Sequence, residues 1–226
     1  MLYNQNIFNL KQNVARMHRQ NMFRSYDDTS PQVVDNVKNN IIDDTSNLKK
    51  EGEIAIPKLG ILLPIYNQPY NSRALNKGAQ QIPTNSGDIN TWGNGNLGIV
   101  GHNYNDGYSY FSSLQEKVND SQSYIKDGQP VTNNWLNGQK IYIATASKIF
   151  EYSVIRQYLV LKNNDDVLND TSNAQINLIT CLEPDDNYRI ITNGVLDNSW
   201  RWDDAPPSVI NYFDHKKFKY NLKVGV

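Results

Sequence analysis

The stretch that decides the fold runs from residue 176 to 196 and reads INLITC, LEPDDN, YRIITNGVL. Its first and last blocks are short and rich in branched, apolar side chains. The block between them, with its Pro, Asp and Asn, suits a turn. Two strands are therefore expected, with Cys181 closing the first and Tyr188 and Arg189 opening the second. The same character recurs outward along the chain in KIFEYSVIRQYLVL (148–161), QKIYIATA (139–146), LGIVGH (97–102), LGILLPIY (59–66) and EIAIP (53–57). Within 139–146, Ile141, Ile143 and Thr145 alternate with Tyr142, Ala144 and Ala146, the period-two pattern of a strand. Pro57 and Pro64 set the first two runs near an edge or bend. Short helices are expected over 72–80 and 110–117. Many strands joined by loops rather than long crossover helices predict a mostly antiparallel barrel or sandwich.

The ends of the chain read differently. Ile7, Leu10, Val14 and Met17 recur at helical spacing, as do Val34, Val37 and Ile41. Ser30 before Pro31 is expected to be an N-cap followed by a first-turn proline. Residues 1–52 are thus expected to form a helical appendage or spacer, 53–196 the β domain, and 197–226 a C-terminal extension. Trp200, Trp202, Tyr212 and Phe213 need cover, so that extension is expected to pack on the barrel.

Length and composition narrow the function. A chain of 226 residues can bury a core of its own. A net charge of -1 supplies no excess positive charge to neutralise phosphates, which argues against nucleic acid as a partner. Mean hydropathy is -0.64, and the apolar run 60–65 is far too short to cross a bilayer. The first residues lack the basic start and apolar core of a signal peptide, so the chain as given is expected to be soluble. Cys181 is the one cysteine, which precludes an internal disulfide. By itself a lone Cys is more often a small buried hydrophobe than a reactive thiolate. No cluster of Cys, His and carboxylates has metal-ligand spacing, and no cofactor is expected.

Three local patterns change the reading of that cysteine. Gly101-His102-Asn103 directly follows an apolar strand. Leu178-Ile179-Thr180-Cys181 ends another. Arg189 opens the next, eight positions after Cys181. Strand ends are stable platforms from which polar side chains reach a cleft. From about Glu53 to Leu196 the chain resembles the sortase family. That family reads T-L-x-T-C at the nucleophile strand, G-H or S-H at the histidine strand, and an arginine soon after the cysteine. It also has an F-x-x-L segment comparable to Phe111-Ser112-Ser113-Leu114. Asn177 stands here where the family has Thr.

The resemblance implies a closed, antiparallel or mixed β-barrel of about eight strands with short helices. It implies a cysteine transpeptidase with Cys181 as nucleophile, His102 as proton donor and acceptor, and Arg189 stabilising the developing oxyanion. The backbone N–H after Cys181 and the Thr180 hydroxyl are candidate helpers. Thr180, Ile179, Val167 and Leu168 are the candidate substrate contacts, the last two from the loop between the sixth and seventh barrel strands, 162–175. The implied partners are LPXTG-type surface-protein substrates and an amine from a peptidoglycan precursor or a pilin. The implied location is the extracytoplasmic face of a Gram-positive membrane. Contact with that membrane would run through an anchor absent from this chain, either removed before residue 1 or replaced by other means.

Subclass leans to class A, from the LITC motif. An Asp-Pro-aromatic lid of the pilin-polymerising type is missing from 1–52, although the C-terminal extension is unlike class A. Calcium activation is not expected, since 77–101 offers only Asp88. The helical N-terminal segment is expected to be either a spacer or a restraint docked on the barrel, over the cleft. His18 and His215 read as structural. Arg189 has an alternative as a surface ion-pair partner of Glu183, Asp185 or Asp186. Other cysteine enzymes fit less well, and all three implied catalytic residues being present argues against a non-catalytic assembly module. An L,D-transpeptidase would carry a His at position 179, which is Ile, and a papain-like peptidase would place Cys before His.

Overall fold

A computed structural model describes residues 31–42, 47–87, 89 and 92–223. The N-terminal helix predicted over 7–17, the Ser30 cap, His18 and Asp88 lie outside them. Among the described residues no helix is long and apolar enough to cross a membrane.

The strands are β1 (Lys50–Ile56), β2 (Ile61–Tyr66), β3 (Ala79–Ile82), β4 (Asn96–Val100), β5 (Ile125–Lys126), β6 (Gln129–Pro130), β7 (Lys140–Thr145), β8 (Lys148–Leu161), β9 (Gln175–Cys181) and β10 (Tyr188–Arg201). β5 and β6 form a separate small hairpin. The other strands close a barrel in the order β1-β2-β3-β4-β9-β10-β8-β7. Its ladders are antiparallel except β2–β3 and β4–β9, which are parallel. The structure is therefore a closed mixed barrel rather than a sandwich.

Alternation along each strand fills the interior. Ile54 and Ile56 of β1, Leu63 and Ile65 of β2, Ile141 and Ile143 of β7, and Ile176 and Leu178 of β9 share one core. The outward residues of β1, β2 and β7 are covered as well. Ala55, Leu62, Tyr142 and Ala144 pack against α1 (Pro31–Ile42), through Val37 and Ile41, and against Trp202, Ile210 and Phe213 of the C-terminal segment. Burial on both faces explains why these strands read as near-continuous apolar runs. In the ring of strands, β1 lies directly across from β9. The helix thus docks on the side of the barrel away from Cys181, not over the cleft.

That outer layer encloses a polar cluster. Glu53, 0% exposed, accepts from Lys50 Nζ at 2.7 Å and lies 2.9 Å from His215 Nε2. Tyr220 donates its hydroxyl to the same carboxylate. Lys50 also donates to the Asn40 carbonyl of α1 at 2.9 Å. One buried carboxylate thereby ties together the helix, β1 and the C-terminal segment, and His215 has the structural role expected of it.

Two helix predictions are shortened. The segment 72–80 holds one turn, α2 (Ser72–Leu75), capped by Asn71, whose side chain accepts from Ala74 N. The chain then enters β3. The segment 110–117 contains only the 3-10 turn Ser112–Leu114. β10 continues past Leu196 to Arg201 because β8 is long enough to pair with it throughout.

Candidate active site

Cys181 and Arg189 face each other as a directly paired position of the β9–β10 ladder. On the other side of β9, parallel β4 places Val100 opposite Ile179. Beyond the strand end, Gly101 N donates to Ile179 O at 3.1 Å and Thr180 Oγ1 donates to Gly101 O at 2.8 Å. These bonds carry the register one step further and bring His102 alongside Cys181. Three residues scattered in sequence thus meet at one end of three neighbouring strands.

The local sequence explains how His102 reaches that place. A Cβ on Gly101 would lie 2.6 Å from the Phe111 ring, so only glycine lets the chain pass over it. Phe111 N in turn donates to His102 O at 2.9 Å. Asn103 donates to the Cys181 carbonyl at 2.9 Å and to Gln115 Oε1 at 2.8 Å. Gln115 donates to Glu183 O at 2.6 Å and accepts from Glu183 N at 2.9 Å. The turn after Cys181 is therefore braced by side chains that follow His102.

His102 Nε2 lies 2.9 Å from Asn76 Oδ1, a pairing in which Nε2 carries the proton. Tyr104 and Tyr110 flank the ring, with centroids 5.0 and 5.8 Å away. Burial holds the His102 pKa below the ordinary imidazole value. Burial also pushes the Cys181 thiol up, opposed by Arg189 and reinforced by Glu183 and Asp186. Both shifts favour the neutral pair, thiol and imidazole, at rest.

Arg189 donates through Nη1 to the carbonyls of Asp186 and Tyr188, at 2.8 and 2.9 Å. Among the described residues it forms no ion pair, so the surface salt bridge to Glu183, Asp185 or Asp186 is not made. Asp185 instead accepts from Asn187 N at 3.1 Å, a local turn bond. The amide after Cys181 is also occupied, since Leu182 N donates to Tyr188 O at 3.1 Å. It is not a spare donor for an oxyanion.

A cleft of ≈ 250 Å³ opens on the outer face of this sheet, lined by Ile82, Val160, Val167, Leu168, Ile179 and Ile191, with Arg189 also on its wall. Cys181 and His102 do not line it; they stand just past the strand positions that do. Val167 and Leu168 lie in the 3-10 turn Asp166–Leu168 of the β8–β9 loop, the connection between the sixth and seventh barrel strands. A ladder of buried asparagines fastens that turn. Asn96 donates to the carbonyls of Val167 and Asn169, both at 2.8 Å. Asn177 donates to Asn96 Oδ1 at 2.9 Å and to Val167 O at 3.0 Å, while Asn193 donates to Asn177 Oδ1 at 2.9 Å. Gly98 leaves room for the wall, because a Cβ there would lie 2.8 Å from Ile82 and 3.0 Å from Leu168.

Thr180 departs from expectation. Strand alternation turns it inward, 1% exposed, and its hydroxyl is spent on Gly101 O rather than offered to the cleft. Among the described residues no group of three or more His, Cys, Asp or Glu forms a metal site.

A family model of the sortase domain matches residues 54–197. The chain belongs to the sortase family. It is 26% identical over 181 residues to the sortase A of Streptococcus agalactiae, an alignment covering 78% of this chain and 64% of that protein. The fold is that of Listeria monocytogenes sortase A, with TM-score 0.56 and 23% identity over 73% of this chain and 97% of that one. It is also that of sortase C-3 from Streptococcus pneumoniae, with TM-score 0.54 and 20% identity over 88% of each chain. Within this sortase, Asn177 has a local explanation: its amide reaches Asn96, Val167 and Asn193 together, which a Thr hydroxyl could not. Sequence reasoning missed Asn76, Tyr104, Tyr110 and Gln115. Only Asn103, adjacent to His102, stood inside a recognisable motif.

Proposed function

We propose that this sortase is a cysteine transpeptidase acting on an LPXTG-type sorting signal. The observation that carries the reading is the pairing of Cys181 with Arg189 across β9 and β10, with His102 delivered from β4 beside an apolar cleft. The signal would lie along Ile179, Val167 and Leu168, with its Thr carbonyl at Cys181. In the minor ionised state, the Cys181 thiolate attacks that carbon and the carbonyl oxygen takes the negative charge. Arg189 faces this oxygen with a fixed cation whose Nε and Nη2 have no hydrogen-bond partner among the described residues. As the C–N bond breaks, the imidazolium of His102 gives its proton to the departing Gly amine, leaving a thioester on Cys181. An incoming amine then loses its proton to His102, forms the new amide bond and expels the thiolate. A correctly held amine outruns water in this step. The acceptor is an amine of the cell wall, or a pilin lysine in the alternative reading, at the extracytoplasmic face of a Gram-positive membrane.

The test is mass spectrometry of the wild type and Cys181→Ala with LPXTG-like and NPQTN-like peptides, with and without oligoglycine or a lysine-bearing peptide. The expected result is an acyl adduct on the wild type alone, discharged by one of the amines. No adduct across the panel would overturn the reading.

A further inference from the structure

Tyr110 is a buried residue with φ of 48°, a left-handed conformation that a bulky side chain adopts only when its surroundings enforce it. What enforces it comes from the far end of the chain. Tyr110 N donates to Asn221 O at 2.7 Å, and Asn221 Nδ2 donates to the carbonyls of Tyr110 and Tyr108 at 2.8 and 2.9 Å. Asn221 is anchored in turn to β2: its N donates to Leu62 O at 3.1 Å, and its Oδ1 accepts from Leu62 N at 2.9 Å. Its backbone and side-chain polar groups are all engaged, and it is 4% exposed.

The side chain of the gripped Tyr110 points at the active site. Its ring stands edge-on to His102, and its hydroxyl donates at 2.5 Å to the carbonyl of Asn76, the residue whose Oδ1 meets His102 Nε2. Two residues beyond Asn221, Lys223 Nζ sits 4.4 Å from the centroid of Tyr104, the other ring against His102. Both aromatic walls of the histidine are therefore held by the C-terminal segment.

We propose that Asn221 is a positioning residue for His102, acting through Tyr110 and Asn76, so that the C-terminal segment is part of the active-site frame. The kinetic part of this inference rests on the transpeptidase reading; the geometric part does not. An imidazole that must give a proton to one amine and take one from another needs a fixed ring, and a small misplacement costs rate steeply. The titratable groups that face the ring are Tyr104 and Tyr110, with Cys181 level with it in the extended β4–β9 register and Asp106 and Lys223 one layer out beside Tyr104.

Two variants of the full chain test it. Asn221→Ala removes every side-chain bond. Asn221→Asp keeps the acceptor for Leu62 N and loses both donors to the 108–110 carbonyls. Transfer of an LPXTG-like peptide to oligoglycine is expected to fall on the order of tenfold in kcat, with KM nearly unchanged. The His102 resonance, assigned with His102→Ala, is expected to titrate nearer the ordinary imidazole value as its cover loosens. Alkylation of Cys181 at high pH should stay at the wild-type rate. Activity within twofold of wild type and an unmoved His102 titration in both variants would overturn the proposal. So would loss of cooperative unfolding in both, which would mean that the segment supports the barrel and not the ring. If the wild type itself transfers no peptide, the transpeptidase reading fails, and the His102 titration still decides the role of Asn221.

Discussion

Two polar clusters lie on opposite sides of the barrel, and they treat charge in opposite ways. Around Glu53 every charge is answered. The carboxylate meets Lys50, His215 and Tyr220, and Lys50 spends a further donor on a helix carbonyl. Around Cys181, among the described residues, no charge is closed into an ion pair. Arg189 donates to carbonyls and His102 meets a neutral amide, while Arg189, Glu183 and Asp186 act on the thiol only through their fields. A buried, fully matched cluster fixes structure. A half-open cluster with unspent donors keeps its electrostatic capacity for charge that appears only during a reaction.

The difference predicts which property each cluster controls. Glu53→Ala would strand Lys50 and His215 and should cost about 3–5 kcal/mol of stability, read from urea unfolding. Equal stability of wild type and variant would break the comparison from the structural side. Arg189→Ala should do the reverse, lowering peptide transfer by about 10²–10³-fold while stability changes by less than about 1 kcal/mol. A large stability loss there would show that Arg189 was structural after all.

The smallest effect is also the most diagnostic. His102 is shifted down and Cys181 up, each by burial first. Below the His102 pKa both groups carry protons, and above the Cys181 pKa neither does. Between the two, the reactive thiolate–imidazolium form is a constant minor fraction. The pH profile of kcat/KM should therefore be a broad plateau, with its acid limb below the ordinary imidazole value and its alkaline limb above the ordinary thiol value. Iodoacetamide should modify Cys181 along the alkaline limb only. Alkylation already at its maximum below neutrality would reveal a resting ion pair and contradict the neutral one.

Much of this was legible in the sequence, for identifiable reasons. The strands around Ile54, Ile141 and Ile176 announce themselves because branched residues fill their inward faces and apolar residues such as Ala55, Tyr142 and Ile179 occupy much of the other. His102, Cys181 and Arg189 stand in local motifs, and strand pairing does the rest. β3 was not legible, since Gln80 and Gln81 are buried within it and Gln80 Nε2 finds its acceptor in the Gln68 carbonyl. No hydrophobic period marks such a strand. The wall of His102 was hidden for a different reason. Asn76, Tyr110 and Asn221 act through bonds spanning much of the chain, and no window of sequence contains both ends. Thr180 was misplaced because the motif gives its position but not its face; the pleat, fixed by Leu178 in the core, turns it inward.

The asparagine ladder of Asn96, Asn177 and Asn193 has one more implication. By fastening the turn that carries Val167 and Leu168, it fixes one wall of the cleft as part of folding itself, so little chain entropy remains to be lost when a peptide arrives. Calorimetry on such a site would read the ligand and its displaced water, with little signature of a loop becoming ordered. Changing which peptide the cleft accepts would then mean exchanging side chains on a stationary surface, not re-educating a moving one.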